Sequence, residues 1–475
     1  MRKRSGNDSL YVDIMSASPE VTGSCNYCTV KYPNHETEHF VVDCGIFQEI
    51  AYNDLNNELP FNPQNVDFVL VTHNHIDHIG RLPLLTKKGF TGSIYTTKDT
   101  KLLMPIALDD TVSILNQSAK KKMCAPLYSK ADADRVTELT QGVEFENTIS
   151  VSKNIDVTFF KNGHLIGASL ILVTIHYYGC DDINILFTGD YNNYNSFFAL
   201  PKIPRWVNRL PVSIVCESTY GLMNSDEIEH VFEKNVEEFF SLTPTGTIII
   251  PTFSLGRSQE ILKKLRSMEE RGIINETPIY VDGALTLRYM HLFKQRLLTS
   301  IDSNKYDFMP HNVQEVSKDV RPLLLEDTNR KIIVSSSGMG SFGPAQAYIK
   351  SYIERDDALI HFTGYCAEGT VSRDLHDASE EDAVTFGGMT FTKKASIKFT
   401  SEFSGHAKAD ELIDLLNQFK DIKMILITHG QTEAKEVFSE RVCNEVEVDN
   451  VGVLSRDYMF RIGPNGFMRT MTTKF

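Results

Sequence analysis

Positive charge is in short supply in this 475-residue sequence, where 62 acidic residues face 48 basic ones and the formal net charge is −14. A general nucleic-acid binder usually carries a basic face, so the charge gives such a role no direct support, although a local basic cleft is compatible with it. No apolar run is long enough to cross a bilayer. The basic start, MRKRSGNDSL, lacks the apolar core of a secretory signal. We therefore expect a cytoplasmic protein with no membrane partner.

Cysteines are few and form no complete motif. The eight cysteines are scattered through the chain, which favours reduced thiols in a cytoplasmic protein. Cys25 and Cys28 make one Cys-x-x-Cys pair, but no second pair completes a zinc site. Residues three apart on a strand point to opposite faces, so we interpret both as ordinary strand cysteines. Repeats and low-complexity linkers are also absent, and the length suits two domains.

A dense group of potential metal ligands follows one apolar run. Residues 68–71 predict a buried strand, the letters IGRLPLL predict the start of a helix, and between them the chain reads THNHIDHIG. Imidazole nitrogens and carboxylate oxygens bind borderline divalent metals such as zinc. Four such side chains are unsuited to a core, because each would need a polar partner when buried. The alternative is a polar surface turn. The candidate ligands are His73, His75, Asp77 and His78.

Further polar residues stand at the ends of other predicted strands. Asp43 closes a run of alternating residues that begins near Leu10 and predicts antiparallel strands. His164 follows the predicted strand 155–160, and Asp190 ends the strand-like segment NILFTGD. Taken alone, His164 is more typical of a structural histidine, and Asp43 or Asp190 of a turn residue. Their importance therefore depends on whether they belong with the histidine-rich loop.

The middle of the chain has a different pattern. From residue 212 onward, apolar strands alternate with amphipathic helices, including a helix predicted from Glu227 to Leu242. This alternation predicts a parallel sheet flanked by helices. After about residue 395 the first pattern returns, which indicates that the middle is an insertion. We predict a first domain from residues 1–221 and 399–475, and an inserted domain from residues 222–398.

The spacing H-x-H-x-D-H resembles the signature of the metallo-β-lactamase superfamily. The insertion is similar to that of the β-CASP branch, which includes RNase J, the nuclease of pre-mRNA 3′-end cleavage and DNA-repair nucleases of the Artemis type. The matching segments are CESTYG, IPTFSLGRSQEIL, SSSGMG, TGYCAEGT, SGHA and THG. The resemblance implies an α/β fold, namely an αββα sandwich carrying an inserted β-CASP domain with a parallel sheet. No separate RNA-binding appendage is expected.

The same resemblance implies a set of metal ligands. One metal would be held by His73, His75 and His164, and a second by Asp77, His78 and His429, with Asp190 bridging the two. Family members usually carry zinc, and some work with manganese, so we expect two Zn²⁺ ions with Mn²⁺ as the alternative. Asp43 is expected to support the metal site without binding a metal itself, by contacting the residues that do.

Two ions about 3.5–4 Å apart suit the hydrolysis of a phosphodiester. His406, in SGHA, is the candidate general acid, and Glu217, in CESTYG, is expected to orient it and raise its pKa. The predicted catalytic residues are therefore His406, Glu217, Asp190 and Asp77. A substrate phosphate is expected at the loop formed by Ser335, Ser336, Ser337 and Gly338, for which an ordinary glycine-rich turn is the alternative.

The predicted function is that of a metal-dependent ribonuclease acting on single-stranded RNA. The alternatives are a DNA nuclease, a hydrolase of small phosphoesters, or a non-catalytic scaffold subunit for RNA processing. A scaffold typically loses metal ligands, and none is lost here. A homodimer is an expectation from relatives alone.

Overall fold

The protein is described by a computed structural model, which covers residues 9–364, 366, 369–379 and 381–472. The described residues divide into two units. The first unit combines Met1–Ser225 with His406–Phe475, and the second is Asp226–Gly405.

The first unit begins with strands that alternate with loops and helices. Its strands before residue 226 are β1 (Tyr11–Ser16), β2 (Asn26–Lys31), β3 (Thr37–Val42), β4 (Phe68–Leu70), β5 (Ser93–Thr97), β6 (Thr140–Val143), β7 (Thr148–Ser150), β8 (Ile155–Lys161), β9 (Ser169–Ile175), β10 (Ile183–Phe187) and β11 (Pro211–Cys216). Its helices in the same segment are α1 (Ile76–Ile79), α2 (Leu82–Lys87), α3 (Lys98–Lys122) and α4 (Lys130–Leu139).

The second unit alternates strands and helices along most of its length. Its strands are β12 (Thr247–Pro251), β13 (Ile279–Asp282), β14 (Val313–Glu315), β15 (Lys331–Ser335), β16 (Ala358–Phe362), β17 (Ala383–Phe386), β18 (Met389–Thr392) and β19 (Ser396–Phe399). Its helices are α5 (Phe232–Leu242), α6 (Arg257–Glu270), α7 (Ala284–Lys294), α8 (Arg321–Glu326), α9 (Gly343–Tyr352) and α10 (Val371–Asp377). The chain then returns to the first unit with α11 (Ala409–Leu416), β20 (Asp421–Ile427), α12 (Thr432–Glu445), β21 (Val451–Val453), β22 (Tyr458–Gly463) and β23 (Gly466–Thr472).

Two sheets form the centre of the first unit. In the described residues, one sheet has the order β23-β22-β1-β2-β3-β4-β5-β6 and the other has the order β21-β20-β11-β10-β9-β8-β7. The strands β1, β2 and β3 pair in antiparallel fashion, which confirms the prediction for the start of the chain. Alternating side chains such as Val12, Ile14 and Phe40 from one sheet pack against Phe159 and Ile185 from the other.

Helices cover the outer faces of both sheets. Leu85, Met104 and Val136, from α2, α3 and α4, share a buried cluster with side chains of the first sheet. Leu412 from α11 and Phe438 from α12 do the same on the second sheet. The layers are therefore helix, sheet, sheet and helix, which confirms the predicted αββα sandwich.

The second unit is built on a parallel sheet with the order β14-β13-β15-β12-β16-β19 among the described residues. The described strand pairs of this sheet all run parallel, as the alternation of strands and helices predicts, while β17 and β18 form a separate antiparallel pair. Strands such as β12 and β15 are buried on both faces, which explains their continuous apolar runs. The helix predicted from Glu227 is wrong at its start, because α5 begins at Phe232, the first fully buried residue of its apolar face.

In the part of the chain that the structure describes, none of the helices combines the length and apolar character that crossing a bilayer would require.

Candidate metal centre

Several residues of the candidate centre follow the carboxyl ends of strands. The strands β3 and β4 are parallel neighbours in one sheet, and β10, β11 and β20 are parallel neighbours in the other. Because the carboxyl ends of parallel neighbours lie at the same edge of a sheet, residues just beyond them come together. The residues in these positions are Asp43, His73, Asp190, Glu217 and His429.

Hydrogen bonds to Asp43 hold the histidine-rich loop in place. The backbone N–H and the hydroxyl of Thr72 donate hydrogen bonds to Asp43 Oδ1 and Oδ2, at 2.8 and 2.7 Å. The ring of His78 donates from Nδ1 to the same Oδ2 at 2.8 Å. His73 Nδ1 lies 3.0 Å from the Thr72 hydroxyl oxygen, whose own proton goes to Asp43. His73 and His78 therefore carry their protons on Nδ1 and point Nε2 inward.

One group of candidate ligands contains three histidines and a carboxylate. The ligand atoms of His73, His75, His164 and Asp190 all lie within 4.8 Å of one another. His164 Nε2 lies 3.0 Å from His75 Nδ1, and Asp190 Oδ2 lies 3.5 Å from His73 Nε2. Nitrogen and oxygen donors at this spacing suit a four-coordinate zinc ion.

A second group shares the same carboxylate. The ligand atoms of Asp77, His78, Asp190 and His429 also lie within 4.8 Å of one another. Asp190 Oδ1 lies 3.1 Å from His78 Nε2 and 3.3 Å from His429 Nε2. One oxygen of Asp190 thus faces each group, which is the arrangement of a carboxylate that bridges two cations. The structure brings together all seven of the predicted metal ligands.

The second group has more lone pairs than its own protons can satisfy. His78 Nε2 and His429 Nε2 lie 3.1 Å apart. The Thr219 hydroxyl donates to Glu217 at 2.6 Å, so His429 Nδ1, which is 3.0 Å from that hydroxyl oxygen, must be the donor between them. Both Nε2 atoms therefore present lone pairs to each other and to Asp190. A proton or a metal ion must lie between these atoms to relieve the repulsion.

Two buried atoms of this centre also lack hydrogen-bond partners among the described residues, His73 Nε2 and Asp190 Oδ1. Buried polar atoms are nearly always satisfied, so these two need a partner of another kind. Both belong to the ligand groups described above. The chemistry of the donor set and these two atoms fit bound divalent metal ions.

Burial and neighbouring charges set the protonation of this centre. Burial lowers the pKa of His73 well below its ordinary value and that of His75 to about 4, so both rings are neutral and available to a metal. Burial alone would raise the pKa of Asp77, but the neighbouring His429 and His78 lower it to about 2. In the same way, the surrounding histidines outweigh burial and hold the pKa of Asp190 well below its ordinary value. The carboxylates are therefore charged at neutral pH.

His406 lies beside this centre at its more exposed side. Its Nδ1 is 2.9 Å from Glu217 Oε2, and its Nε2 is 3.8 Å from Asp190 Oδ2. The side chain of His406 is 20% exposed, whereas that of Glu217 is only 1% exposed. Burial would lower the pKa of His406, but Glu217 and Asp190 raise it above its ordinary value. These charges favour the protonated ring, which is also partly accessible, as a proton donor requires.

Asn162 and Thr219 complete the centre, and neither was predicted from the sequence. Asn162 accepts a hydrogen bond from the His164 N–H at 2.9 Å and donates to the Asp190 carbonyl at 2.8 Å, joining two ligand loops. Thr219 joins Glu217 to His429. Neither residue type is a usual zinc ligand, and their only signal in the sequence is proximity to His164 and Glu217.

We expect Thr219→Val to weaken zinc binding and kcat/KM by roughly 10- to 100-fold, the usual effect of losing a partner of a metal ligand. The substitution leaves the His429 Nδ1–H without its acceptor and removes one donor to Glu217. Zinc affinity and turnover should be measured together. Thr219→Ser keeps the hydroxyl and should be close to the wild type. Equal values for the valine and serine variants would contradict this positioning role.

The loop predicted to hold a substrate phosphate lies in the second unit. Ser335 ends β15, with its side chain buried. The N–H groups of Ser336 and Ser337 donate to the carbonyls of Asp282 and Phe342, at 3.2 and 3.4 Å. Both N–H groups are therefore already used, and the Ser337 hydroxyl also donates to the Phe342 carbonyl at 3.4 Å, which leaves the Ser336 hydroxyl to be considered as a donor. Gly338 packs closely against Phe253.

Comparison with known proteins gives three matching domain profiles. The Metallo-beta-lactamase superfamily profile matches residues 23–206, and the Beta-Casp domain profile matches residues 258–375. A third profile, the Zn-dependent metallo-hydrolase RNA specificity domain, matches residues 392–451.

Similar whole proteins come from archaea, bacteria and animals. Transcription termination factor FttA of Methanococcus maripaludis is 30% identical over 445 residues, which are 88% of this chain and 66% of that relative. Ribonuclease TTHA0252 of Thermus thermophilus is 26% identical over 433 residues, 88% of this chain and 92% of that protein. Integrator complex subunit 11 of Gallus gallus is 24% identical over 450 residues, 92% of this chain and 71% of that protein.

The chain belongs to the metallo-β-lactamase superfamily. The family and fold predicted from the sequence are therefore confirmed, including the β-CASP domain. A segment that matches the RNA specificity domain profile begins at residue 392, close to where the inserted domain was predicted to end. This superfamily member spans just under two thirds of the length of its FttA relative.

Proposed function

We propose that this protein hydrolyses phosphodiester bonds of RNA with two divalent metal ions, zinc in the first place and manganese as the alternative. The observation that carries the proposal is the position of Asp190, which presents one carboxylate oxygen to each of two ligand groups. Seven donors arranged in this way are far more than one tetrahedral ion uses.

The proposed ligands are His73, His75 and His164 on one side, and Asp77, His78 and His429 on the other, with Asp190 between them. Bound there, two divalent ions would acidify a water molecule and neutralise the charge that gathers on phosphorus. The chain's own residues would orient the phosphodiester against these ligands and manage the remaining proton.

That proton belongs to the leaving oxygen. We assign its transfer to His406 Nε2, because Nδ1 is held by Glu217 and the ring is partly exposed. Glu217 accepts hydrogen bonds from His406 Nδ1, the Thr219 hydroxyl and the Tyr191 N–H. This fixes the direction of the ring and raises its pKa, so that the acid is charged before the bond breaks.

RNA is favoured over the alternatives by the segment at residues 392–451 that matches an RNA specificity domain. The names of relatives also point to RNA, including Ribonuclease TTHA0252 and the RNase J-like protein of Methanocaldococcus jannaschii. The net charge of −14 gives no general attraction for a polyanion, so substrate contacts must be local. DNA and small phosphoesters are therefore the outcomes that an experiment has to separate from RNA.

Two further predictions stay with this proposal. All eight cysteines are free thiols, which supports a reducing compartment such as the cytoplasm. A homodimer remains a proposal from relatives, and light scattering of the purified protein tests it.

The function is tested with end-labelled single-stranded RNA and DNA of equal sequence. Protein stripped of metal should be inactive, and adding zinc or manganese should restore cleavage of the RNA at a higher rate than that of the DNA. Equal cleavage of the RNA and the DNA would contradict RNA as the specific substrate class. No cleavage of either with any added metal would reject the proposed function.

A further inference from the structure

A second polar site lies in the second unit, at the edge of its parallel sheet. Asp282 ends β13 beside Ser335, which ends β15, and the Ser336 N–H donates to the Asp282 carbonyl at 3.2 Å. The next residue after Asp282 is Gly283, which directly precedes α7. Gly283 and Ser336 are therefore neighbours just beyond the carboxyl ends of two adjacent parallel strands, where α/β sheets commonly bind ligands.

The helix α7 begins here without a capping side chain. Its N-cap residue is Gly283, and no side chain accepts a hydrogen bond from its first turn. The N–H groups of Ala284, Leu285 and Thr286 precede the first bond of the helix, which runs from the Leu287 N–H to the Gly283 carbonyl. An eleven-residue helix with an open N-terminus attracts negative charge.

An independent observation at the same place is the buried hydroxyl of Thr286. Thr286 is 1% exposed, and its hydroxyl has no hydrogen-bond partner among the described residues. Its oxygen lies 3.0 Å from the point where a Cβ on Gly283 would be, and the Ser336 hydroxyl oxygen lies 2.4 Å from that point. Two hydroxyls thus meet at the helix N-terminus, in the space that a side chain on Gly283 would need.

The negative charge of the adjoining residue Asp282 is compensated, so it does not oppose an anion at this point. The one carboxylate that adjoins Gly283 in sequence is Asp282, and Arg321 binds it with two hydrogen bonds of 2.6 and 2.8 Å. The Tyr348 hydroxyl donates to the same carboxylate at 2.8 Å. The Asp282 carboxylate is therefore bound by side chains of α8 and α9. Ala284, at the start of α7, is exposed, so a ligand can reach the first turn from solvent.

From these observations we propose that the N-terminus of α7, with the hydroxyls of Thr286 and Ser336, is a binding site for a phosphate group. Hydroxyls and backbone N–H groups at a helix N-terminus are suitable donors for its oxygens. The phosphate belongs either to a polynucleotide, in which case the site rests on the proposed function, or to a free phosphate ion. Gly283 is required because any side chain would collide with the Ser336 hydroxyl.

The test compares Thr286→Val, which keeps the size of the side chain and removes its hydroxyl, with Thr286→Ser, which keeps the hydroxyl and removes the methyl group. Calorimetric titration of the metal-loaded protein with inorganic phosphate, and KM for an RNA oligonucleotide, should both be measured. Losing one hydrogen bond to a charged group should weaken binding about 10-fold in Thr286→Val, while Thr286→Ser stays near the wild type. Gly283→Ala, which fills the same space, should have the effect of Thr286→Val. Hydrolysis of bis(4-nitrophenyl) phosphate, a small diester, should be unchanged in every folded variant.

Weaker binding of RNA with unchanged binding of inorganic phosphate identifies a polynucleotide as the ligand, and weaker binding of both includes the free ion. If Thr286→Val and Gly283→Ala both bind phosphate and RNA like the wild type, the site does not exist. If the proposed function fails, the wild type cleaves no RNA. The titration with inorganic phosphate would still show whether the site exists.

Discussion

Asp190→Asn is expected to reduce hydrolysis of RNA by more than about 100-fold, because even losing an outer partner of a metal ligand costs about 10- to 100-fold. The carboxylate presents Oδ2 to His73 and Oδ1 to His78. An amide has the same shape but only one oxygen, and its nitrogen cannot coordinate a metal. One of the two ligand groups must therefore lose this donor, and the remaining oxygen is neutral and weaker.

The side chain of Asp190 is buried, so the isosteric change should leave the fold intact, which circular dichroism can check. Asp182→Asn is a matched control, since Asp182 is an exposed carboxylate paired with His176. Full activity in Asp182→Asn and loss in Asp190→Asn would locate the effect at the centre. Normal turnover by a folded Asp190→Asn protein would make Asp190 an ordinary turn residue.

His406→Ala is expected to lose on the order of 10²- to 10⁴-fold in rate on RNA while keeping its metals, the usual effect of removing one proton-transfer group. The leaving oxygen of RNA is a poor leaving group without a proton. The loss should therefore be much smaller on a diester that leaves as nitrophenolate. Rates on both substrates and the metal content of the variant are the measurements.

The pH profile gives a second measurement of the same role. A general acid works only while protonated, so activity should fall as the pH rises through the pKa of His406. Glu217 and Asp190 raise that pKa, which extends activity toward alkaline pH. Glu217→Gln removes one of these charges, so the alkaline limb should move to lower pH.

Two results would reject the acid role of His406. A metal-depleted His406→Ala protein would make His406 a ligand, in agreement with its distance of 3.8 Å from Asp190 Oδ2. An equal loss of rate on RNA and on the nitrophenyl diester would indicate that His406 positions the substrate.

Much of the fold could be predicted from the sequence because its signals are local. Alternation in residues 10–42 predicts antiparallel strands, and continuous apolar runs such as 247–251 predict buried parallel strands. The start of α5 could not be predicted well, because the acidic residues before Phe232 suit a helix as well as a loop. Alternation in residues 396–399 predicts a strand, but it cannot tell which sheet the strand joins.

The residues of the site also divide into those with a local signal in the sequence and those without one. His73 to His78 lie within six consecutive positions, so their spacing alone indicates a metal. The sheet topology brings His164, Asp190 and His429 to the same place. Their roles as metal ligands were predicted only through the resemblance to a family. Thr219 and Asn162 carry no signal of their own, since their roles are hydrogen bonds to residues far away in sequence. Such partners become visible only when the strands that carry them are assembled.

The number of metal ions per chain tests the central claim most directly. Native mass spectrometry of protein titrated with zinc should show two ions bound to the wild type. The same measurement on Asp190→Asn should show at least one ion lost or bound much more weakly, because the shared carboxylate lies between both groups. A wild-type protein that binds no zinc or manganese, or never more than one ion, would contradict the dinuclear centre.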